Sequence, residues 1–381
     1  MRILTITCHD VYNFGASLQA YALQRFLEIR GHECKIINYR PEYLYKRFDY
    51  KFFTNAKLAK INKILLINWM LRLCKFVLLK RTAGRRKCFD EFRNSYLKIT
   101  DESYTSNEML KAASLNVDIV IAGSDQIWNP LFENGSDKAF FLDFAEEGVK
   151  RVSYAASFAV SSLPENKKQF FREMLSKFNS ISVRETDGLV ILEELGLKGC
   201  KVLDPIFLLD VGIWKGVAHS FRYSQKYILI YDFEGNKMIK ETAEFFKKKM
   251  GYKIFSINDS VPRCYADKNF TNVGPIEFIS LILSCSLFLS NSFHGTAFSI
   301  YFNRPFYVFN LKGFATNSRM INLLETFKLT ERLVTSQMNF DKSDMMIDWD
   351  NVNSIIDEEK KQSVDFLMNA IYCDGKNKYN I

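Results

Sequence analysis

Short apolar strands alternate with amphipathic helices along most of this chain, and that alternation constrains its fold more than any other feature. The first strand, ILTITC, is followed by a helical pattern that Gly31 ends and then by a second strand, KIINY. Further strands are predicted at VDIVIAG, RVSYAAS and SISVRE. Units of this kind form parallel sheets with helices on both faces, so the sequence predicts an α/β protein.

A second series of strands follows a pause at VLDPIFLL. It begins with KYILIYDF and continues through YKIFSI, SLFLS and PFYVF. The length of 381 residues also exceeds the size at which a single core usually keeps growing. We therefore predict a first domain at residues 1–205 and a second at residues 206–345. Residues 346–381 have apolar positions at helical spacing and are expected to form a helix that packs back on the first domain.

The net charge of +9 is concentrated in one segment. Between Tyr43 and Asp90, thirteen Lys or Arg residues accompany only two acids and are interleaved with aromatic and aliphatic residues. We interpret residues 43–90 as a basic helical insertion in the first domain. Its apolar run, residues 64–79, is shorter than the about 20 residues that a spanning helix needs. The insertion is therefore expected either to lie on an anionic membrane surface or to pack on the protein's own core.

Several classes of protein are disfavoured by what the chain lacks. The apolar run at the N-terminus is too short for a signal peptide, which predicts a cytoplasmic protein. The eight cysteines form no C-x-x-C pair and only four histidines accompany them, so no metal site is expected. Neither G-x-G-x-x-G nor a P-loop is present, and no cofactor is predicted. Nucleic acid is not an expected partner, because the basic charge is confined to an insertion with long aliphatic runs.

The segment SLFLSNSFHGTAFSIYFNRPF places a histidine where a buried strand runs into a helix. The strand ends at Ser290 and helical spacing begins at about Gly295, so Ser292, His294 and Gly295 lie at the helix N-terminus. Free N–H groups there bind anions, and a neutral imidazole can exchange protons near pH 7. From position alone, His294 is equally well explained as a side chain that caps a buried backbone group.

Polar residues follow three other predicted strands, where ligands of parallel sheets bind. Arg184 ends SVRE and suits a phosphate or carboxylate, although an ion pair with Glu185 or a neighbour explains it as well. The turn in VIAGSDQIWNP suits a sugar, or else merely closes the strand. We expect the residues that contact such an acceptor to come from this turn and from the turn after the first strand: Asn13, Gln19, Ser124, Asp125, Gln126 and Trp128.

At these residues the chain resembles the polysaccharide pyruvyl transferase family. The resemblance runs in order through NFGASLQAYALQRFLEIRGHECKIINYRP, IAGSDQIWNP, YAASF, SVRE, VLDPIFLL, SFHGTAFSIYFNRPF and SRMINLL. It implies two Rossmann-like lobes in a GT-B-like arrangement. It also implies transfer of the enolpyruvyl carbons of phosphoenolpyruvate to two sugar hydroxyls, forming a cyclic ketal and releasing phosphate without a metal.

The resemblance also assigns roles to residues of this chain. It places the family's histidine at His294 and its strand-end arginine at Arg184, and it suggests Lys312 and Arg319 as further cations for the donor. Ser292 and Gly295 would bind the donor at the helix N-terminus. Many members carry an arginine where this chain has Phe293. The acceptor is expected to be a saccharide, including a lipid-linked one at the membrane, and a GT-B-like glycosyltransferase using a nucleotide sugar remains the alternative.

Overall fold

The structure is a computed structural model that describes residues 1–45, 80, 82–219, 223–258, 261–311, 317–336 and 345–373. Most of the basic insertion, at 46–79 and 81, lies outside these ranges. Lys312 also lies outside them.

The first lobe is built on a five-stranded sheet in which every neighbouring pair is parallel, in the order β3-β2-β1-β4-β5. Its strands are β1 (Arg2–Ile6), β2 (Glu33–Tyr39), β3 (Ile99–Tyr104), β4 (Ile119–Ala122) and β5 (Lys150–Ser153). A parallel pair, β6 (Ser182–Val183) and β7 (Cys200–Lys201), continues this layer through bridges to residues beside β5. The strand order is the one expected for a Rossmann-like domain.

The helices of the first lobe connect these strands. They are α1 (Phe14–Ile29), α2 (Glu42–Tyr45), α3 (Ala83–Tyr96), α4 (Asn107–Ala112), α5 (Glu165–Leu175) and α6 (Thr186–Glu194), with short 3₁₀ turns at Glu133–Ser136, Lys138–Phe141 and Pro205–Phe207. Helix α1 begins where the Asn13 side chain accepts a hydrogen bond from the Ala16 N–H, as a helix N-cap requires.

The second lobe contains a six-stranded parallel sheet in the order β10-β9-β8-β11-β12-β13. Its strands are β8 (Tyr227–Tyr231), β9 (Lys253–Ile257), β10 (Lys268–Phe270), β11 (Leu287–Ser290), β12 (Phe306–Phe309) and β13 (Leu333–Val334). All residues of the central strands β8, β11 and β12 are buried, as expected for a parallel sheet covered on both faces. The two sheets with their helices confirm the predicted α/β class.

The remaining helices are α7 (Val211–Val217), α8 (Lys237–Met250), α9 (Pro275–Ser284), α10 (Phe293–Tyr301), α11 (Asn317–Thr326) and α12 (Trp349–Tyr372), with a 3₁₀ turn at Thr330–Arg332. The C-terminal helix α12 reaches the first lobe, where Ser363 Oγ accepts from the Leu203 N–H at 2.9 Å and Lys150 Nζ donates to the Ile371 carbonyl at 3.0 Å. The residue boundaries proposed above for the domains stay a prediction.

The described end of the basic insertion packs on the protein itself. In α3, Phe89 and Phe92 are buried in the main core, and the Phe89 ring lies 5.1 Å from that of Phe14. The Arg85 guanidinium is buried against Phe14 and Phe89 and donates to the Tyr12 carbonyl at 3.1 Å. For α3 the structure favours the alternative in which the insertion packs on the protein's own core, and contact of residues 43–90 with a membrane stays a prediction. Within the described ranges, no helix is long and apolar enough to cross a membrane.

Candidate functional site

Four polar residues of this site come from the carboxyl ends of strands in both lobes. Asp125 follows β4, Arg184 follows β6, Asp204 lies shortly after β7, and His294 follows β11. Ligands of open parallel sheets bind at these ends. The lobes touch here, since the Phe14 ring of α1 stacks on the Phe278 ring of α9 at 4.3 Å. The site therefore lies at the junction between the lobes.

His294 is held from both lobes. It occupies the first turn of α10, where the Ser292 side chain accepts from the Gly295 N–H at 3.3 Å. Its Nε2 lies 3.3 Å from Asp204 Oδ2, but the ring N–H is not aligned for a hydrogen bond to any described residue. A Cβ added at Gly15 of α1 would overlap the imidazole ring. The ring is thus held between Gly15 and Asp204, and its buried Nε2 has no hydrogen-bond partner among the described residues.

Asp204 links the histidine to the arginine. Its side chain is 1% exposed, and its Oδ2 accepts from Arg184 Nη1 at 2.8 Å. Burial by itself raises the pKa of this carboxyl, but the neighbouring His294 and Arg184 outweigh burial and lower the pKa to about 2. Asp204 therefore stays an anion that orients both Arg184 and His294.

Arg184 keeps hydrogen-bonding capacity that no described residue uses. Its side chain is 2% exposed, and its Nε lies 3.6 Å from Glu185 Oε2 without a hydrogen bond. Its Nη2 has no partner among the described residues. Burial acts to lower the pKa of Arg184, but the carboxylates of Asp204, Glu185 and Asp125 raise it above its ordinary value. Arg184 thus stays charged, and its ion pair with Asp204 satisfies only one of the three guanidinium nitrogens.

Arg319 of α11 lies beside the same arginine. Burial and then the positive charge of Arg184 lower its pKa to about 10. Both terminal nitrogens contact the Gln126 amide at 3.0 and 3.1 Å, with that amide turned so that its oxygen faces them, and Nε has no described partner. The Phe293 ring lies against both guanidinium groups, with its centroid 4.4 Å from the Arg184 guanidinium carbon and 5.8 Å from that of Arg319.

The open donors of these residues favour an anionic ligand. A guanidinium N–H that is buried without an acceptor costs about 1–3 kcal/mol, so such groups are retained where a ligand satisfies them. The first N–H groups of α10 also lack intrahelical acceptors. Planar guanidinium groups and a helix N-terminus are the donors that bind phosphate and carboxylate. In the part of the chain that the structure describes, no group of three His, Cys, Asp or Glu residues could hold a metal ion.

Three of the expected acceptor residues are buried and fully engaged in the protein. Trp128 is completely buried, stacks on Phe141 at 5.9 Å and donates from Nε1 to the Phe140 carbonyl. Gln19 and Ser124 are completely buried as well, and Gln19 Oε1 accepts from the Ser124 N–H at 3.0 Å. A sugar cannot reach these side chains, and their assignment to the acceptor is wrong. They shape the turn that carries Asp125.

The other predicted residues fall into different surroundings. Asn13 is exposed and caps α1, and Asp125 and Gln126 are half-buried at the site. Ser292 caps α10, and Gly295 packs so tightly on Phe288 that an added Cβ would lie 2.8 Å from the ring. Lys312 lies outside the described residues. Of the donor set, the structure brings together His294, Arg184, Ser292, Gly295 and Arg319.

Sequence reasoning missed Asp204 and the reason for Gly15, and it named Glu185 only as a possible ion-pair partner of Arg184. Asp204 lies in the quoted segment VLDPIFLL, and a carboxylate directly after a short strand was the signal available for it. Glu185 is 2% exposed and accepts hydrogen bonds from the Ser157 hydroxyl and from the Ala159 N–H at 3.1 Å. Only the packing of the two lobes shows that Gly15 makes room for His294.

Two Rossmann-like lobes with a site at their junction whose free N–H donors suit an anion are typical of two-lobed α/β enzymes. A family model for polysaccharide pyruvyl transferases matches residues 13–313, which include Asp125, Arg184, Asp204 and His294. The chain therefore belongs to the polysaccharide pyruvyl transferase family, a family of polysaccharide-modifying transferases. Arg319 lies beyond the matched range.

Solved structures with a similar fold share little sequence with this chain. A UDP-N-acetylglucosamine 2-epimerase has a TM-score of 0.55 at 9% identity, with 99% of this chain and 98% of that chain covered. The UDP-GlcNAc 2-epimerase of Neisseria meningitidis, solved with UDP-GlcNAc bound, has a TM-score of 0.52 at 11% identity over 97% of this chain and 100% of that chain. Comparison with the curated proteins gives no match. At such identities the likeness concerns the fold alone, and it confirms the GT-B-like arrangement.

Proposed function

We propose that this protein transfers the pyruvyl group of phosphoenolpyruvate to two hydroxyls of a sugar in a polysaccharide precursor, forming a cyclic ketal and releasing phosphate. The observation that supports this proposal best is the set of buried donors without acceptors on Arg184, Arg319 and His294. Phosphoenolpyruvate carries a phosphate and a carboxylate, which need such donors. Membership of the pyruvyl transferase family supports the same donor.

Arg184 and Arg319 would bind the two anionic groups of the donor. Bound anions would accept from the nitrogens that lack partners, and the N-terminus of α10 would add its N–H groups and its partial positive charge. Arg184 cannot swing freely, because Asp204 fixes Nη1 and Phe293 covers one face of the guanidinium. The charges that bind the donor would therefore already be oriented, and no free energy would be needed to reorient them during the reaction. No cofactor has a part in this chemistry.

His294 would protonate the methylene carbon of the bound donor. Asp204 stabilises the imidazolium that holds this proton, and Gly15 and Asp204 fix the ring. Protonation creates a cationic centre at the neighbouring carbon, which one sugar hydroxyl attacks. The second hydroxyl then displaces phosphate. Positioned acid–base catalysis of this kind contributes about a hundred- to ten-thousand-fold in rate.

The decisive test incubates the protein with phosphoenolpyruvate and a panel of free and lipid-linked glycans. We expect phosphate release that depends on the glycan, together with a product whose mass corresponds to a pyruvyl ketal. The His294→Gln variant should lose this turnover and still bind phosphoenolpyruvate in a calorimetric titration. Binding of uridine or guanosine diphosphate with no binding of phosphoenolpyruvate would instead select a glycosyltransferase that uses a nucleotide sugar.

We also propose that the enzyme works in the cytoplasm at the inner face of the cell membrane, where lipid-linked acceptors are assembled. The support is the sequence of residues 46–81, in which cations alternate with aliphatic and aromatic residues. Replacing Lys57, Lys60 and Lys63 by glutamate should release the protein from vesicles that contain anionic lipid. The control is Lys87→Glu in α3, an exposed side chain on a helix that packs on the core. Equal vesicle binding by all forms would contradict the membrane role.

A further inference from the structure

The proposed reaction removes protons from two hydroxyls, and His294 accounts for only one of them. In returning to its starting state, His294 gives a proton to carbon and takes one from the second hydroxyl. The first hydroxyl needs a separate base within reach of the donor. A carboxylate is a suitable base. Within the described residues, the site contains three carboxylates that act to raise the pKa of Arg184 and Arg319: Asp125, Glu185 and Asp204.

Two of these carboxylates are committed to the protein. Asp204 is almost completely buried, pairs with Arg184 and His294, and has its pKa lowered to about 2, so it is a poor proton acceptor. Glu185 is 2% exposed and its Oε1 accepts from Ser157 and Ala159. Neither side chain is open to a sugar that approaches from solvent.

Asp125 differs from both. Its side chain is half-buried and accepts no hydrogen bond from any described residue. The next residue, Gln126, contacts both terminal nitrogens of Arg319, and Ala156 forms β-bridges to Asp125 and to Val183, which precedes Arg184. Asp125 therefore lies on the turn beside both donor cations, and its charge acts to raise the pKa of each. It is therefore the open carboxylate of the set.

The backbone holds Asp125 in a defined position. Its carbonyl accepts from the N–H groups of Ile127 at 2.8 Å and Ser157 at 3.0 Å, and its φ of 73° lies in the left-handed region. Ser157 in turn donates to Glu185, the neighbour of Arg184 in the chain. The turn that carries Asp125 is thus tied to the turn that carries Arg184. A half-buried acceptor that is held in place beside a charged site suits general base catalysis.

We propose that Asp125 is the general base that deprotonates the first attacking hydroxyl, an inference that rests on the proposed pyruvyl transfer. The proton of the first hydroxyl moves to Asp125 Oδ while its oxygen bonds to the donor carbon that His294 has made cationic. The second hydroxyl bonds to the same carbon and gives its proton to His294. The bond from carbon to the phosphate oxygen breaks, phosphate leaves with the electron pair, and Asp125 returns its proton to that oxygen.

The first test is Asp125→Asn, because asparagine has the same size and tolerates a positive φ. We expect kcat to fall about a hundred- to ten-thousand-fold and phosphoenolpyruvate affinity to hold or increase slightly, since a negative charge beside Arg184 and Arg319 is removed. Glu133→Gln, an exposed acid on the same stretch of chain, is the matched control and should leave kcat unchanged.

A second variant separates catalysis from a structural effect. Asp125→Gly accepts the left-handed conformation without strain, and added formate should restore part of its turnover by replacing the missing base. If the wild-type protein forms no ketal, the proposed function itself is wrong, whatever the role of Asp125. If the wild type is active, the inference is overturned by a kcat of Asp125→Asn within about threefold of normal, by an equal loss of donor affinity, or by no rescue with formate.

Discussion

Two clusters of charged side chains in this protein differ in whether their charged groups all have hydrogen-bond partners. Asp143 has a side chain that is 9% exposed and accepts from Lys111 and Lys177 at 2.7 Å each and from Asn107 at 3.2 Å. Burial raises the pKa of Asp143, but these three donors outweigh it and hold the pKa well below its ordinary range. Both lysines remain substantially exposed, so water solvates the rest of each ammonium group. The charged groups of this cluster are therefore satisfied by one another and by water, and within the described residues only the neutral Asn107 Oδ1 lacks a partner.

The junction cluster is not satisfied in this way. Arg184 and Arg319 are buried, and nitrogens of both, together with His294 Nε2, lack hydrogen-bond partners among the described residues. Their burial removes the option of solvation by water that Lys111 and Lys177 retain. Incomplete hydrogen bonding therefore distinguishes a ligand site from a structural ion cluster better than the number of charges does. Four predictions test this contrast.

The largest effect is expected for Asp204→Asn. The amide would no longer stabilise an imidazolium at His294 or neutralise Arg184, so both partners would lose their orientation. We expect kcat to fall about a hundred- to ten-thousand-fold in a phosphoenolpyruvate-dependent assay. Since Asp204 has a depressed pKa, its contribution to stability is present above about pH 4 and is lost as pH falls towards about 2. Turnover within tenfold of the wild type would remove Asp204 from the catalytic arrangement.

A smaller loss is expected for Gly15→Ala. The added methyl group would overlap the imidazole ring, and the histidine must move away from its position beside Asp204. A misplacement of about 1 Å can cost about a hundredfold in rate, so we expect kcat to fall by about ten- to a hundredfold. Gly216→Ala is the control, because this helical glycine has open space where the methyl group would lie. Equal activities of the two variants would contradict the contact between the lobes.

The structural cluster should respond in stability and not in turnover. Asp143→Asn would leave Lys111 and Lys177 without their shared carboxylate, and we expect the free energy of unfolding to decrease by about 1–3 kcal/mol. Because the pKa of Asp143 is depressed, its stabilisation is present above its unfolded pKa of about 3.9 and is lost in more acidic solution. In urea unfolding, the free energy of unfolding should therefore change less between pH 7 and pH 3 for the variant than for the wild type. A loss of kcat in Asp143→Asn would erase the distinction between the two clusters.

The smallest effect concerns donor binding by Arg319. Its pKa is lowered to about 10, which means that the folded protein alone disfavours this charge and a bound anion relieves the cost. Arg319→Gln should weaken phosphoenolpyruvate binding by about tenfold, or about 1.4 kcal/mol, and reduce the thermal shift that the ligand produces. Lys328→Asn, an exposed cation just after α11, should keep the wild-type shift. An undiminished shift in Arg319→Gln would leave Arg184 as the principal cation of the donor site.

Much of the fold was predictable because local sequence patterns indicate its strands and the starts of its helices. Apolar strands such as YILIY are buried on both faces, and Asn13 and Ser292 cap helices where the sequence changes from strand to helix. Trp128 shows where this reasoning failed. Its place after β4 suggested a surface on which a sugar could stack, but the ring packs against Phe141 in the core. Burial of a large apolar side chain lowers the free energy of the folded protein more than a partly exposed position at the edge of a site does.

Local sequence patterns were enough to predict the α/β class, the pyruvyl transferase resemblance, and the placement of Arg184 and His294 at strand ends. Each of these depends on residues close together in the chain. Three further contacts became visible only in the folded protein: Gly15 lies against His294, Asp204 joins His294 to Arg184, and α3 packs on the core. These contacts join residues far apart in sequence, and the packing of two lobes selects them through shape and burial, which no local pattern encodes.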